Sequence, residues 1–355
     1  MSRREENSQI KEILDSGGKI YSISRLNTIN TCPYQAYLQY IKGAKQKNNV
    51  WAMLGGSIHD ALERCIHGAD ESIIKDAIQE ELNMLDDLEL DFPLDRNGNP
   101  SIRNNWIANM KLFAKHFKTP KGKFETEQLV LEQIGDSSWM QGYIDLIKYN
   151  DDGSIDIYDW KTSSQFDKAH LLEAGRQLIF YATIKRAEGY KIRKIAWIML
   201  KYAMLVWTAK NGKKQTKVME WRKVGTDLQD KMRKELVKLG YDDVNLDVYL
   251  DYLKEDNDLS RMPDEIKNNF KLYPYVREYD FTDELVSELM QYIKDNVQKF
   301  IDFGNDEKKY KPLDCDKNSF FCNNLCGYGS EKCKYYAQYL QETLIDVDEE
   351  EDLFA

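Results

Sequence analysis

Apolar residues recur at helical spacing through the first third of the chain. Ser22 precedes an apolar-periodic stretch in the manner of an N-cap, and Pro33 stands early in the next helical stretch. Residues 55–65, about 71–90 and about 101–117 repeat apolar side chains every three or four positions. The pattern therefore predicts helices in these ranges, with a loop at 95–100 between the last two.

The period changes to alternation near residue 124. Runs rich in β-branched and aromatic residues predict strands, at 127–134, 140–148, 155–161, 194–202, 203–208 and 216–221. The same criteria predict a helix at 170–187 and further helices at about 226–239 and 283–302. This order of elements predicts an α/β fold in which a central mixed β-sheet is flanked by helices.

Two acidic residues and a lysine stand out in the centre of the chain. A turn at Asn150–Gly153 joins two of the predicted strands into a hairpin. Side chains alternate along a strand, so Asp159 and Lys161 share one face, and Asp145 lies on the neighbouring strand. Carboxylate oxygens bind Mg²⁺ together with phosphate and water, and a lysine can orient an attacking water or stabilise charge on the phosphate. The alternative is a solvated Asp–Lys ion pair worth about 0–1 kcal/mol.

Two pairs of residues are each one helical turn apart. In the first, His59 precedes Glu63, and a neutral imidazole there would bind a metal or position a phosphate. In the second, Gln177 precedes Tyr181 on the helix that follows the Asp159 strand, so their face would pack beside the carboxylates. The alternative for each pair is a contact on a helix surface.

Cysteines concentrate near the end of the chain. In a reducing compartment, a cluster of three favours ligation of an iron–sulfur cluster or zinc over disulfides. A fourth thiolate is then needed, and Cys32 and Cys315 are both candidates, whereas Cys65 has the pattern of a buried helix residue. The six cysteines are Cys32, Cys65, Cys315, Cys322, Cys326 and Cys333.

Composition restricts the class of protein. The 355 residues are 42% hydrophobic, which is enough for a sizeable core. No run of about 18 apolar residues is present, and the first residues lack the apolar segment of a signal peptide, so no membrane partner is expected. We expect a cytoplasmic protein of a bacterium, or of the host if a phage encodes it.

The charge balance is a mild argument against nucleic acid as a partner. A net charge of −10 is not that of a basic nucleic-acid binder, although a metal site needs acids and residues 346–352 form an acidic run. Lysine-rich runs at 42–47, 210–217 and 231–238 would contact phosphates or form solvated faces.

Six short motifs follow one another in a fixed order between about residues 22 and 336. They are Cys32-Pro33-Tyr34, Gly55…His59…Leu62-Glu63, Gly142-Tyr143-Ile144-Asp145, Asp159-Trp160-Lys161, Gln177…Tyr181 and Cys322…Cys326…Cys333. In this order they resemble the RecB-like exonuclease branch of the PD-(D/E)XK nuclease superfamily, and within it the iron–sulfur nucleases of the AddB and CRISPR-adaptation types. Two features differ from the common family pattern: gaps of three and six residues separate the last cysteines, and Asp159 replaces a frequent glutamate.

The resemblance implies a restriction-endonuclease-like core and a role for each motif. The metal ligands for Mg²⁺ or Mn²⁺ would be His59, Asp145, Asp159 and the backbone carbonyl of Trp160. Lys161 would be catalytic, and Gln177 and Tyr181 would position DNA and support the site. A [4Fe–4S] cluster would tie the N-terminal helices to the C-terminus through Cys32, Cys322, Cys326 and Cys333, with Cys315 as the alternative ligand and Zn²⁺ as the alternative metal.

The resemblance also implies an organisation and an activity. We expect one nuclease domain over 1–340 (a helical region at 1–120, the catalytic core at 121–225, a helical or mixed region at 226–310 and a cysteine segment at 311–340) and an acidic disordered tail at 341–355. The predicted function is metal-dependent exonuclease cleavage of DNA, with single-stranded ends favoured, in recombination, repair or phage and CRISPR DNA processing. The alternative is a DNA-binding or scaffold protein that retains the nuclease fold with little activity. The acidic tail would dock a protein partner or remain solvated.

Overall fold

Seven strands form one mixed sheet in the region of the chain that the computed structural model describes, namely residues 7–47, 50–95, 97–168 and 170–352. For residues 51, 52 and 344–352 the description covers the backbone alone. The strands are β1 (Lys19–Tyr21), β2 (Lys123–Gly135), β3 (Ser138–Tyr149), β4 (Ser154–Lys161), β5 (Lys191–Thr208), β6 (Lys214–Glu220) and β7 (Phe270–Tyr279).

Two long strands, β3 and β5, organise the sheet. Strand β3 pairs antiparallel with β2 along one edge, and along the other edge it pairs antiparallel with β4 and parallel with β1. Strand β5 pairs parallel with β4 and antiparallel with β6 and β7. Strand β4 therefore lies between β3 and β5, which places its C-terminal residues in the middle of the sheet.

Helices surround the sheet. They are α1 (Ser8–Asp15), α2 (Ile23–Thr31), α3 (Pro33–Ala36), α4 (Val50–Met53), α5 (Gly56–Ile66), α6 (Ile73–Asp87), α7 (Ser101–His116), α8 (Leu171–Ala187), α9 (Val224–Asp227), α10 (Gln229–Lys238), α11 (Asp243–Asp256), α12 (Asp264–Asn269), α13 (Asp283–Phe303), α14 (Gly329–Lys332) and α15 (Lys334–Asp352). Short π-helical turns lie at Tyr37–Ile41 and Phe321–Leu325, and 3-10 turns at Trp221–Lys223 and Glu307–Lys309. Among the described residues, no helix is both long and apolar enough to span a membrane.

The helices form a layer on each face of the sheet because strand side chains alternate. Trp160 of β4 belongs to the core that the sheet shares with α5, α6 and α7. Ile155 and Ile157 of the same strand belong to the opposite core, shared with α2, α8 and α13. The arrangement confirms the predicted α/β fold with a mixed sheet flanked by helices, although β1 and β7 come from outside the predicted catalytic core of 121–225.

Strand β5 differs from its prediction. The sequence predicts strands at 194–202 and 203–208, but β5 runs without a break from Lys191 to Thr208. Its pairing with β7 passes from Met199–Tyr275 directly to Ala203–Pro274, so residues 200–202 form a bulge. A bulge interrupts the alternation of side chains, which explains the predicted break.

The C-terminal helix also differs from its prediction. Helix α15 continues to Asp352, whereas the sequence predicts a disordered tail from residue 341. Glutamate, glutamine and leucine are favourable helix residues, so a helix that begins at Lys334 can extend into the acidic segment. The side chains of the acidic run and residues 353–355 lie outside the described residues.

Candidate active site

Two carboxylates face each other across the hairpin of β3 and β4. Leu146 pairs with Tyr158, so the next step along the hairpin sets Asp145 opposite Asp159. Directly paired residues lie on the same face of a sheet, here the face that α8 covers. The side chain of Asp159 is 3% exposed and that of Asp145 13% exposed. The sequence predicted Asp145 on the strand next to that of Asp159, and the pairing of β3 with β4 confirms this placement.

Asp145 is held by the backbone of the neighbouring strand. Its Oδ2 accepts a hydrogen bond from the backbone N–H of Trp160 at 2.8 Å. Burial and the nearby carboxylate of Asp159 raise the pKa of Asp145 well above its usual range, although Lys161 and the Trp160 N–H oppose this effect. Two buried carboxylates this close to each other can both be ionised only if a positive charge lies nearby.

Lys161 supplies some of that charge. Its Nζ lies 2.7 Å from Oδ2 of Asp159, and its side chain is 28% exposed. Burial disfavours the ammonium, but the carboxylates of Asp159 and Asp145 outweigh burial and raise the pKa of Lys161. Lys161 is therefore a cation, suited to stabilising negative charge on a phosphate.

Helix α5 brings His59 to the same place. Its Nδ1 lies 3.8 Å from Oδ2 of Asp145, and its ring packs edge-on against Trp160 with centroids 5.7 Å apart. Burial lowers the pKa of His59, which favours the neutral imidazole that binds metals. Glu63, one turn later, instead accepts a hydrogen bond from Thr126 of β2.

Helix α8 covers the carboxylates with the predicted polar pair. The side-chain amide of Gln177 donates to the hydroxyl of Tyr181 at 2.8 Å. Burial and the charge of Asp159 raise the pKa of Tyr181, so the tyrosine stays protonated. Gly142 of β3 gives the ring its room, since a Cβ atom at position 142 would lie 2.5 Å from Cε1 of Tyr181.

A third acid, which sequence reasoning missed, extends the row of carboxylates. Thr126 pairs with Leu146, so the next residue of β2, Glu127, lies opposite Asp145. Glu127 has a φ of 51°, a left-handed conformation that is unusual for a residue with a side chain and recurs at functional sites. Its charge contributes to the raised pKa of Asp145 and of Tyr181. Extending the hairpin register from β3 to the predicted strand at 127–134 would have revealed it.

A separate site gathers the cysteines. The backbone N–H of Leu313 donates to Sγ of Cys32 at 3.4 Å, and the sulfurs of Cys322 and Cys315 are 3.5 Å apart. Cys65 lies elsewhere, fully buried in α5 as the sequence predicts. A single apolar cavity is lined by the other five thiols, those of Cys32, Cys315, Cys322, Cys326 and Cys333.

Backbone N–H groups point at two of these sulfurs. Burial raises the pKa of Cys326 to about 11, although N–H groups of Tyr328 and Gly329 donate to its sulfur and oppose this effect. Burial also raises the pKa of Cys333, although the N–H groups of Tyr336 and Tyr335 donate to its sulfur and lower this pKa. Such donors stabilise thiolates, the form in which cysteine binds metals.

The side chains near these two sites are not arranged as complete metal-binding groups. Within the described residues, no group of three or more His, Cys, Asp or Glu side chains has the geometry to hold a metal ion. In the carboxylate site, Asp159 is directed to the ammonium of Lys161 and Asp145 to the Trp160 N–H.

The carboxylate row, the cationic lysine and the neutral histidine suit a divalent cation that binds a phosphodiester. No curated protein matches the chain. The family model of the PD-(D/E)XK nuclease superfamily matches residues 20–316, which include the carboxylate site but end before Cys322. The match covers well over half of the chain, and the chain therefore belongs to the PD-(D/E)XK nuclease superfamily.

Proposed function

We propose that this nuclease is a Mg²⁺- or Mn²⁺-dependent DNA exonuclease of the RecB-like branch. The observation that carries the proposal is the apposition of Asp145 and Asp159 beside Lys161, in the middle of the sheet. Nucleases of this superfamily typically use Mg²⁺ or Mn²⁺, and carboxylate oxygens are the ligands these cations prefer. His59 and the backbone carbonyl of Trp160 would complete the protein ligands.

The residues of the site have different roles in the hydrolysis of the phosphodiester. A water oxygen forms a bond to phosphorus while the bond from phosphorus to a sugar oxygen breaks, and the leaving oxygen takes up a proton. A bound divalent cation would supply Lewis-acid stabilisation of the phosphoryl charge and a more acidic water. Lys161 adds a fixed positive charge beside the phosphate, and the Gln177–Tyr181 pair limits where the strand can lie.

A cavity beside the site supports a single-stranded substrate. It has a volume of about 630 Å³, within the range of about 300–1,000 Å³ common for ligand pockets. Most of the side chains that line it are uncharged polar or aromatic groups, which suit unpaired bases that stack and form hydrogen bonds, and the carboxylate of Glu173 also lines it. Its walls include Asn27, Gln39, Tyr40, Tyr143, Gln177 and Tyr181.

A time course of cleavage tests the activity. End-labelled single- and double-stranded DNA would be incubated with the protein and Mn²⁺, comparing wild type with Asp159→Ala. Progressive loss of nucleotides from ends by wild type, and none by the variant, is the expected result. The matched control is Asp156→Asn, which alters another buried acid of β4. Equal cleavage by wild type and Asp159→Ala would refute the assignment.

A rival function has one observation in its favour. Asp159 is already paired with Lys161, and the described residues contain no complete metal-binding group. A DNA-binding or scaffold protein with a retained nuclease fold and little activity would have such a site. DNA binding by wild type without cleavage, at any Mn²⁺ concentration, would favour this rival.

We also propose that the cysteine cavity holds a [4Fe–4S] cluster through Cys32, Cys322, Cys326 and Cys333. The donor set fits, because thiols from both ends of the chain converge on one cavity and N–H groups point at two sulfurs. Zinc is the alternative metal, and Cys315 the alternative ligand. Protein purified without oxygen should be brown and contain iron and sulfide, whereas a colourless, zinc-loaded protein would refute the cluster.

The biological setting follows from the proposed activity. An exonuclease of this branch would act in recombination, repair or phage and CRISPR DNA processing in the cytoplasm. The acidic C-terminal segment would dock a protein partner. Deleting residues 346–355 should then abolish binding to that partner in a pull-down experiment and leave DNA cleavage unchanged.

A further inference from the structure

The helix that carries His59 begins without a cap of its own. Gly55 precedes α5 with a φ of 108° and has no side chain to accept the N–H groups of the first turn. Glu81, which lies on α6, supplies the missing acceptor: its Oε1 receives the N–H of Gly55 at 2.9 Å and that of Ile58 at 3.3 Å. The N–H of Ser57 also donates to this carboxylate.

Glu81 is an unusual residue for this task. It is fully buried, and among the described residues no lysine, arginine or histidine forms an ion pair with it. Burying a carboxylate without compensation costs several kcal/mol, and here the N–H groups and the positive end of the α5 dipole offset only part of this cost. Burial still raises the pKa of Glu81, and its Oε2 has no hydrogen-bond partner among the described residues. A serine or aspartate at position 55 would cap the helix locally without burying a distant acid.

The capped peptide leads directly to the site. The carbonyl of Gly55 accepts the backbone N–H of His59 at 2.8 Å, so one residue joins Glu81 to His59. Gly55 also packs against the end of β4, since a Cβ atom at position 55 would lie 3.3 Å from Oγ1 of Thr162, the residue after Lys161. Glu81, the start of α5 and the end of β4 therefore form one packed unit.

We propose that Glu81 is a positioning residue for the metal site, which fixes the start of α5 so that His59 faces Asp145. The inference rests on the proposed function, because it assigns His59 a metal to bind. Supporting groups around metal ligands typically contribute about 10- to 100-fold to metal affinity. A role in stability alone would lower the melting temperature and leave metal affinity unchanged.

The test measures metal binding directly. Binding of Mn²⁺ to the full-length protein would be followed by the electron paramagnetic resonance signal of free Mn²⁺, alongside melting temperature without divalent cations. Glu81→Leu, similar in size but without acceptors, should weaken binding about tenfold or more. Glu81→Gln should stay within about threefold of wild type, because its side-chain amide keeps an oxygen that can accept the same N–H groups.

A matched control separates positioning from stability. Asp258→Asn alters another buried carboxylate, one that receives the N–H of Ser260, and should lower the melting temperature without weakening Mn²⁺ binding. Wild-type Mn²⁺ affinity in folded Glu81→Leu, or equal weakening in Asp258→Asn, would overturn the proposal.

A second pair of variants decides the question if Glu81→Leu does not fold. Glu81→Asp keeps the charge but shortens the reach, and it should weaken Mn²⁺ binding in the wild-type background and not in a His59→Ala background. Equal effects in both backgrounds would overturn the proposal. Asp159→Asn tests the proposed function separately: if it leaves Mn²⁺ binding and cleavage unchanged, the metal site itself is wrong, whatever Glu81 does.

Discussion

Tyr181 lies against Gly142 so closely that a Cβ atom at position 142 would come within 2.5 Å of its ring. Gly142→Ala should displace the ring, break its hydrogen bond with Gln177 and cost about 1–3 kcal/mol of stability. Nuclease activity should fall along with the melting temperature. Gly135→Ala is the control, because its Cβ would meet only Ser138 at an ordinary 3.7 Å. Wild-type activity in Gly142→Ala would show that the Tyr181 ring has no role in cleavage.

Asp156 should contribute to stability and not to cleavage. It is buried, and Arg193 donates to its Oδ1 at 2.8 Å while Tyr158 donates to its Oδ2 at 3.1 Å. Asp156→Asn replaces an acceptor oxygen with a donor, which should cost about 1–3 kcal/mol. Denaturant unfolding measures this loss, and the rate of DNA cleavage well below the unfolding temperature should match wild type. Loss of cleavage by a folded variant would place Asp156 in the reaction.

Asp258 should stabilise the fold in a pH-dependent manner. Burial opposes its ionisation, but the imidazole of His116, whose Nε2 lies 3.4 Å from Oδ2, and hydrogen bonds from Lys115 and Ser260 outweigh burial and hold the pKa of Asp258 well below its usual range. A depressed pKa in the folded state stabilises the protein fully above the unfolded pKa of about 3.9, and this stabilisation is lost as the pH falls towards the folded pKa.

The corresponding measurement is unfolding across a pH series. The free energy of unfolding of wild type should exceed that of Asp258→Asn by a constant amount above about pH 5, and the difference should shrink below about pH 4. A difference that grows on acidification would contradict the sign of this linkage.

Cysteine variants should separate the proposed cluster ligands from their neighbour. Cys326→Ser and Cys32→Ser should each lose iron, measured by absorbance near about 400 nm and by iron content. Cys315→Ser should keep iron, because a cluster needs four thiolates and five line the cavity. If Cys315→Ser loses iron and Cys32→Ser keeps it, then Cys315 is the cluster ligand and Cys32 is not.

The local geometry of the site could be predicted from the sequence because strand side chains repeat every two residues. That period put Asp159 and Lys161 on one face, and the turn at Asn150–Gly153 put Asp145 on the neighbouring strand. The turn fixes the register of the hairpin, so the prediction needed no information from distant regions of the chain. The alternative was a solvated ion pair between Asp159 and Lys161; the structure contains the pair, but the side chain of Asp159 is buried.

The long-range geometry could not be predicted in the same way. No periodicity in the sequence gives the 3.8 Å between His59 and Asp145, which depends on how α5 packs on the sheet. Glu81 was missed because an acid within an amphipathic helix is normally exposed, whereas this one is buried. Glu127 was missed because its left-handed backbone conformation is one that its residue type does not favour. The bulge in β5 was taken for a gap between strands because alternation is the only signal that the sequence offers.

The contact between Leu313 and Cys32 joins positions 281 residues apart. Ribosomes add roughly 5–20 residues per second, so on the order of 15–60 s pass between the synthesis of one partner and that of the other. During this interval the segment around Cys32 is exposed to chaperones and oxidants in the newborn polypeptide. Any cofactor that the cavity receives must therefore be delivered after translation has passed residue 333.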